Sequence, residues 1–128
     1  MTDSFSKLMG LVERKRQIDM DNDWYAGAAT YLSEMRRELV EVEEELTSEV
    51  LWRLEDELGD VLWDYLNFVQ CLADERAISL DAILTRAARK YDERISGIEK
   101  GMSWSEIKAQ QKLREARGGP SSNNGGRA

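Results

Sequence analysis

Apolar residues recur along this chain at steps of three and four, the period of an α-helix with one buried face. They predict four main helices and a short fifth. The first runs from about Ser4 to Asp19, with Asp3 or Ser4 as its cap. Asp19 to Asp23 is polar and reads as a turn. The second helix runs from about Trp24 to Leu46, with Ala28, Leu32, Met35, Leu39, Val42 and Leu46 in one narrow stripe. Thr47 and Ser48 both favour N-caps and predict a break. The third helix runs from about Glu49 to Asp74, and its stripe is Leu51, Leu54, Leu58, Val61, Leu62, Tyr65, Val69 and Leu72. Ser79 caps a fourth, with Leu80, Ile83, Leu84, Ala87, Ala88 and Tyr91 on its inner face, ending near Ser96-Gly97. Ser103-Trp104-Ser105-Glu106 has capping-box spacing and opens a fifth helix to about Arg117. The segment from 118 to 128 is linker-like and is expected to be a disordered tail. There is no internal repeat and no alternating strand pattern, so the fold class is all-α. By size, residues 1–117 form one domain.

Composition narrows the partners. The formal net charge is −7, which argues against a general affinity for the nucleic-acid backbone, since that needs clustered Lys and Arg. An anionic small substrate stays open, because a bound divalent cation inverts the local field. The single cysteine, Cys71, cannot form an intrachain disulfide and reads as a small core residue in a reducing compartment. No stretch approaches the ~20 apolar residues of a membrane span, and the N-terminus has no long apolar run. A cytoplasmic protein without a membrane partner is expected.

Two acidic motifs carry candidate chemistry. Glu38-Leu39-Val40-Glu41 and Glu57-Leu58-Gly59-Asp60 each place two carboxylates on one face of a helix. In one unbroken helix Glu41 and Glu57 would stand about 24 Å apart. With a tight turn near Thr47-Ser48 they come to similar heights, within roughly 5 Å along the axis. Oxygen ligands from two facing helices suit Mg²⁺. Glu34, Glu38, Glu41 and Glu45 flank the second stripe, while Glu57, Asp60 and Asp64 flank the third. Such like charges repel by a few tenths of a kcal/mol per pair, and a divalent cation relieves the conflict. A plain solvated acidic face is the competing explanation for either motif alone. Gly59 costs about 1 kcal/mol in a helix relative to alanine. Its presence points to a close approach, either of a neighbouring helix or of a metal–phosphate group.

The run Glu57-Leu58-Gly59-Asp60-Val61-Leu62-Trp63, preceded by Glu38-Leu39-Val40-Glu41-Val42, resembles the MazG-like all-α nucleoside triphosphate pyrophosphohydrolases. The resemblance covers about residues 22–98. It implies a four-helix-bundle-like fold assembled as a homodimer or a dimer of dimers. It also implies Mg²⁺-dependent hydrolysis of a nucleoside triphosphate to the monophosphate and pyrophosphate, with Mn²⁺ as a substitute ion, in the manner of a nucleotide-pool house-cleaning enzyme. By motif position Glu38, Glu41, Glu57 and Asp60 look like the metal ligands, with Glu38 orienting the attacking water or taking its proton. Lys90 and Arg94 resemble the basic residues that follow the metal motifs and would hold phosphate oxygens; intrahelical ion pairing is their alternative role. Trp24 resembles an upstream tryptophan near the nucleotide, though a core or interface role suits its type as well. The chain departs from the usual pattern at Arg37, where many members have a glutamate, and at Asn22-Asp23, which stand in place of Cys-Pro. It also has no histidine, so the histidine-containing stretch that usually follows the upstream tryptophan is missing.

The missing histidines also remove Ser/His or Cys/His nucleophiles, a Glu-x-x-His di-iron bundle and, with one cysteine, a structural zinc site. The rival that remains is a non-enzymatic helical module for self-association or protein interaction.

Overall fold

The computed structural model describes residues 2–118. Five helices follow one another: α1 (Thr2–Met20), α2 (Ala28–Glu45), α3 (Leu51–Glu75), α4 (Leu80–Glu99) and α5 (Trp104–Gly118). No strand occurs among the described residues, and no helix there is long and apolar enough to cross a membrane. The predicted tail, beyond Gly118, lies outside them. The chain divides into two compact units, one up to Asp81 and one from Ala82.

In the first unit α2 and α3 form the predicted hairpin and α1 packs on α3. The turn forms where Thr47-Ser48 announced it: Val50 N–H donates to Ser48 Oγ at 3.0 Å, and Ser48 N–H to the Glu45 carbonyl at 3.0 Å. Val12, Tyr31, Leu66, Val69 and Cys71 are the buried apolar residues here. Cys71 is free, as expected of a core thiol, and its sulfur accepts the Tyr25 hydroxyl at 3.1 Å.

Helix α2 begins at Ala28 rather than at Trp24, because local polar groups capture the intervening backbone. Trp24 N–H donates to Asn22 Oδ1 at 3.0 Å and Ala26 N–H to Thr30 Oγ1 at 2.7 Å. Gly27 takes φ 82°, a left-handed conformation open to glycine. The Glu75 carboxylate then receives the Ala28 N–H at 3.3 Å, satisfying one orphan donor of the new helix. Nearby, the buried Asp19 carboxylate accepts both the Tyr31 hydroxyl and the Lys15 ammonium, fastening the end of α1 to the start of α2.

In the second unit α4 runs past Ser96-Gly97 to Glu99. Gly101, at φ 95°, is the residue that ends it: Met102 N–H donates to the Gly97 carbonyl at 3.0 Å and Gly101 N–H to Ile98 at 2.9 Å. These are the paired bonds of a Schellman stop. Gly97 has a different task. A Cβ there would lie 2.6 Å from Ile107 Cδ1, so the missing side chain lets α5 close on α4. The predicted capping box forms, with Glu106 N–H donating to Ser103 Oγ at 3.1 Å and Ser103 N–H to Glu106 Oε1 at 2.7 Å. Buried Gln111 locks the pair, donating to the Lys90 carbonyl and to Glu93 Oε1 while accepting from Arg94 Nε at 2.8 Å.

Candidate metal centre

The α2–α3 hairpin brings Glu38, Glu41 and Glu57 together. One carboxylate oxygen from each lies within 4.8 Å of the other two. All three residues are half-buried. The Oε1 atoms of Glu38 and Glu57 are closed to solvent and have no hydrogen-bond partner. A sealed, unpartnered carboxylate oxygen has given up its hydration without return.

The electrostatics are those of crowded anions. Burial raises the proton affinity of Glu38, and the charges of Glu41, Asp60 and Asp64 raise it further, against the pull of Arg37. Glu57 is raised in the same way, by burial first and then by Glu41, Asp60 and Glu38. Arg37 stands at the rim, exposed and paired with Glu34 and with Glu41 at 3.4 Å. It occupies the position where the resembled family often carries a further glutamate. The donor set is all oxygen and anionic, with two oxygens unused, and it fits a hard divalent cation.

Asp60 stands apart from the three. It is exposed on α3 and lies outside the closely spaced group, although its charge reaches Glu38, Glu57 and Asp64. Asp64 is the residue that the sequence placed only on a flank. It is buried, its Oδ2 has no partner, and its pKa is pushed up to about 6 by burial, then by Glu34 and Asp60. The available signal was its four-residue step from Asp60 on the face opposite Glu34; a stripe of leucines beside it hid how deep it lies. No atom comes within 4 Å of a Cβ built on Gly59, so among the described residues nothing makes the close approach that this glycine predicts.

Of the three expected substrate contacts, Trp24 belongs to the first unit and Lys90 and Arg94 to the second. Trp24 is exposed before α2, edge-on to Tyr31 at 5.5 Å and with the Lys15 ammonium 4.4 Å from its ring centre. Lys90 and Arg94 are on α4, in the second unit. Arg94 lies over Tyr91 and Trp104, 5.1 and 5.2 Å from their ring centres, and also bonds Gln111. Lys90 is exposed, 5.8 Å from the Tyr91 ring centre. It lines a cleft of about 300 Å³ within this unit, together with Arg86, Arg89, Tyr91 and Arg114; none of the clustered carboxylates lines it.

Residues 27–97, more than half of the chain, match the family model described as the MazG nucleotide pyrophosphohydrolase domain. The match contains the acidic cluster, Lys90 and Arg94, whereas Trp24 precedes it. Neither the curated proteins nor the solved structures gave a significant match.

Proposed function

Because the chain belongs to the MazG nucleotide pyrophosphohydrolase domain family, we propose that it hydrolyses a nucleoside triphosphate to the monophosphate and pyrophosphate with Mg²⁺, or Mn²⁺ in its place. The observation that carries this is the meeting of Glu38, Glu41 and Glu57, with two carboxylate oxygens sealed and unpartnered. Glu38, Glu41 and Glu57 would hold the ion, and Asp60 would join them from the exposed edge of α3. Bound there, the ion supplies the positive charge that holds a triphosphate and offsets charge developing on the attacked phosphorus.

The chain's own residues do the rest. Glu38 is the catalytic base: one of its carboxylate oxygens would hold the ion and the other would orient a water attacking the α-phosphorus and take its proton. Arg37, tied to Glu34 and Glu41, fixes the α2 side of the cluster. Lys90 is the better of the two α4 cations for phosphate oxygens, because Arg94 is committed to Gln111 and the Tyr91–Trp104 pair. Trp24 offers an exposed ring for a base to stack on. The product monophosphate would leave a nucleotide pool cleared of one triphosphate, a cytoplasmic task.

Self-association belongs to the same account. Leu46, Leu51, Trp52, Leu58 and Leu62 are all exposed on α2 and α3 or the turn between them, and so many large apolar side chains on one hairpin suit an interface. A homodimer or a dimer of dimers would cover it. The same surface is the observation that favours a purely structural helical module. Pyrophosphate release separates the two: turnover of some (d)NTP in Mg²⁺, none in EDTA, and at least a hundredfold loss in a folded Glu57→Gln variant are expected of the enzyme. A scaffold would show no turnover with any nucleotide.

A further inference from the structure

Charge is segregated along this chain. Residues 1–81 carry 20 Asp and Glu against eight Lys and Arg, whereas residues 82–118 carry nine Lys and Arg against five Asp and Glu. The net charge of −7, which disfavours the nucleic-acid backbone for the chain taken whole, therefore hides a cationic second unit. Three of that unit's five acids are occupied within the fold. Glu93 accepts from Arg114 and Gln111, Glu106 closes the capping box, and Asp92 receives the Ser96 hydroxyl. No ion pair among the described residues engages Arg86, Lys108, Lys112 or Arg117.

The cleft of about 300 Å³ is where this charge meets apolar surface. Helices α4 and α5 close on each other at Gly97 and Ile107 and are tied further along by Gln111. The cleft lies between the first half of α4 and the second half of α5. Ile83, Ala87 and Tyr91, at four-residue steps, give it an apolar strip, and Arg86 from α4 and Arg114 from α5 line it beside them. Arg117 continues the α5 row one turn beyond Arg114 and is exposed. Its size is at the lower end for ligand pockets, which begin near ~300 Å³. Tyr91 is 45% exposed and stacks on the exposed Trp104 with ring centres 6.2 Å apart, so the strip ends on a flat aromatic pair.

We propose that the α4–α5 cleft binds single-stranded nucleic acid, with a base lying on the Tyr91 ring and flanking phosphates held by Arg86 from α4 and Arg117 from α5. A cationic track beside exposed rings is how sequence-tolerant single-strand sites are built, because every base has a face to stack. A long anion is favoured over a free nucleotide, since Lys108 and Lys112 are exposed on α5 outside the cleft, where only a longer chain of phosphates uses them. The aromatic pair favours a base over the side chains of an acidic peptide. This function goes beyond the hydrolase reading and needs neither the carboxylate cluster nor turnover.

The test is fluorescence anisotropy of labelled oligouridylate and oligodeoxythymidylate, about twenty nucleotides long, with the full chain in EDTA, where no divalent ion bridges the strand to the acidic unit. Binding is expected at low salt, and the affinity should fall with a log–log slope of roughly −2 to −3, as three or four phosphate contacts at ~0.7 each require. Arg86→Glu combined with Arg117→Glu should weaken it at least tenfold. Tyr91→Ala should weaken it about tenfold, while Tyr91→Phe, which keeps the ring, should stay within twofold of wild type. If the double charge reversal does not fold by circular dichroism, the two Tyr91 variants decide. Absence of binding at low salt overturns the proposal. So does equal affinity for a duplex of the same length with no loss in Tyr91→Ala, which would show plain attraction of a polyanion. Polyglutamate bound as tightly as the strand would assign the cleft to an acidic protein partner instead. Displacement of the strand by uridine monophosphate at equal nucleotide concentration would assign it to a free nucleotide.

Discussion

Glu38, Glu57 and Asp64 each hold an oxygen that neither water nor a donor reaches, and this sets how the metal-free protein responds to pH. All three have proton affinities raised in the fold, with Asp64 moved from 3.8 to about 6. For an acid shifted upward the native state binds the proton more tightly than the unfolded chain does. The associated stability is full below the ordinary carboxylate range and is lost as pH rises through the folded value. In EDTA the melting temperature is therefore expected to rise on going from pH 7.5 to pH 5, and Asp64→Asn should flatten that slope. Glu93 does not interfere, because Arg114 and Gln111 hold its pKa at about 2 and its contribution is lost only in strong acid. Calorimetry with and without Mg²⁺ checks this: the ion should favour the ionised forms and reverse the slope. Gly59→Ala is a second residue-scale test. With open space around it, the exchange should stabilise the isolated chain by up to about 1 kcal/mol. If a nucleotide or a second copy fills that space, the same variant loses turnover or self-association while gaining stability. The spacing of Glu38, Glu41 and Glu57 made their meeting legible in the sequence once a turn was placed at Thr47-Ser48. The depth of Asp64 was not legible, because a helical period gives a face and not a distance from solvent.

At the scale of the elements, the hydrophobic period located α2, α3 and α4 and the capping box located α5, and the errors lie at helix ends, where side chains compete for backbone groups. Asn22, Thr30 and Glu75 delay α2 to Ala28. Two glycines near the end of α4 were ambiguous in sequence: Gly97 reads as a stop, yet it is a contact site, and Gly101 does the stopping. Gly97→Ala is accordingly expected to destabilise by about 1–3 kcal/mol, because the new methyl group meets Ile107, which is itself buried. Gly59→Ala, also a helical glycine, should do the opposite, so the pair separates helix propensity from packing in denaturant unfolding. Ser103→Ala removes one arm of the capping box and should cost about 1 kcal/mol.

Over the whole molecule, the apolar stripes are wider than the chain covers. Leu39, Leu46, Leu51, Leu58 and Leu62, all predicted to face inward, are exposed, as are Leu84 and Tyr91 on α4. Period alone shows which residues share a face, not whether a neighbour from the same chain reaches it. Sedimentation is expected to give a dimer or tetramer, and Leu51→Glu combined with Trp52→Glu should shift it toward monomer. That shift also tests whether turnover depends on assembly. The central claim concerns the cluster in the hairpin, and the most direct measurement is a crystal structure of the protein soaked in Mn²⁺, with the ion located by its anomalous scattering. A peak bound by Glu38, Glu41 and Glu57 is the expected result. A well-ordered hairpin with those three carboxylates turned to solvent and no peak between them would contradict it.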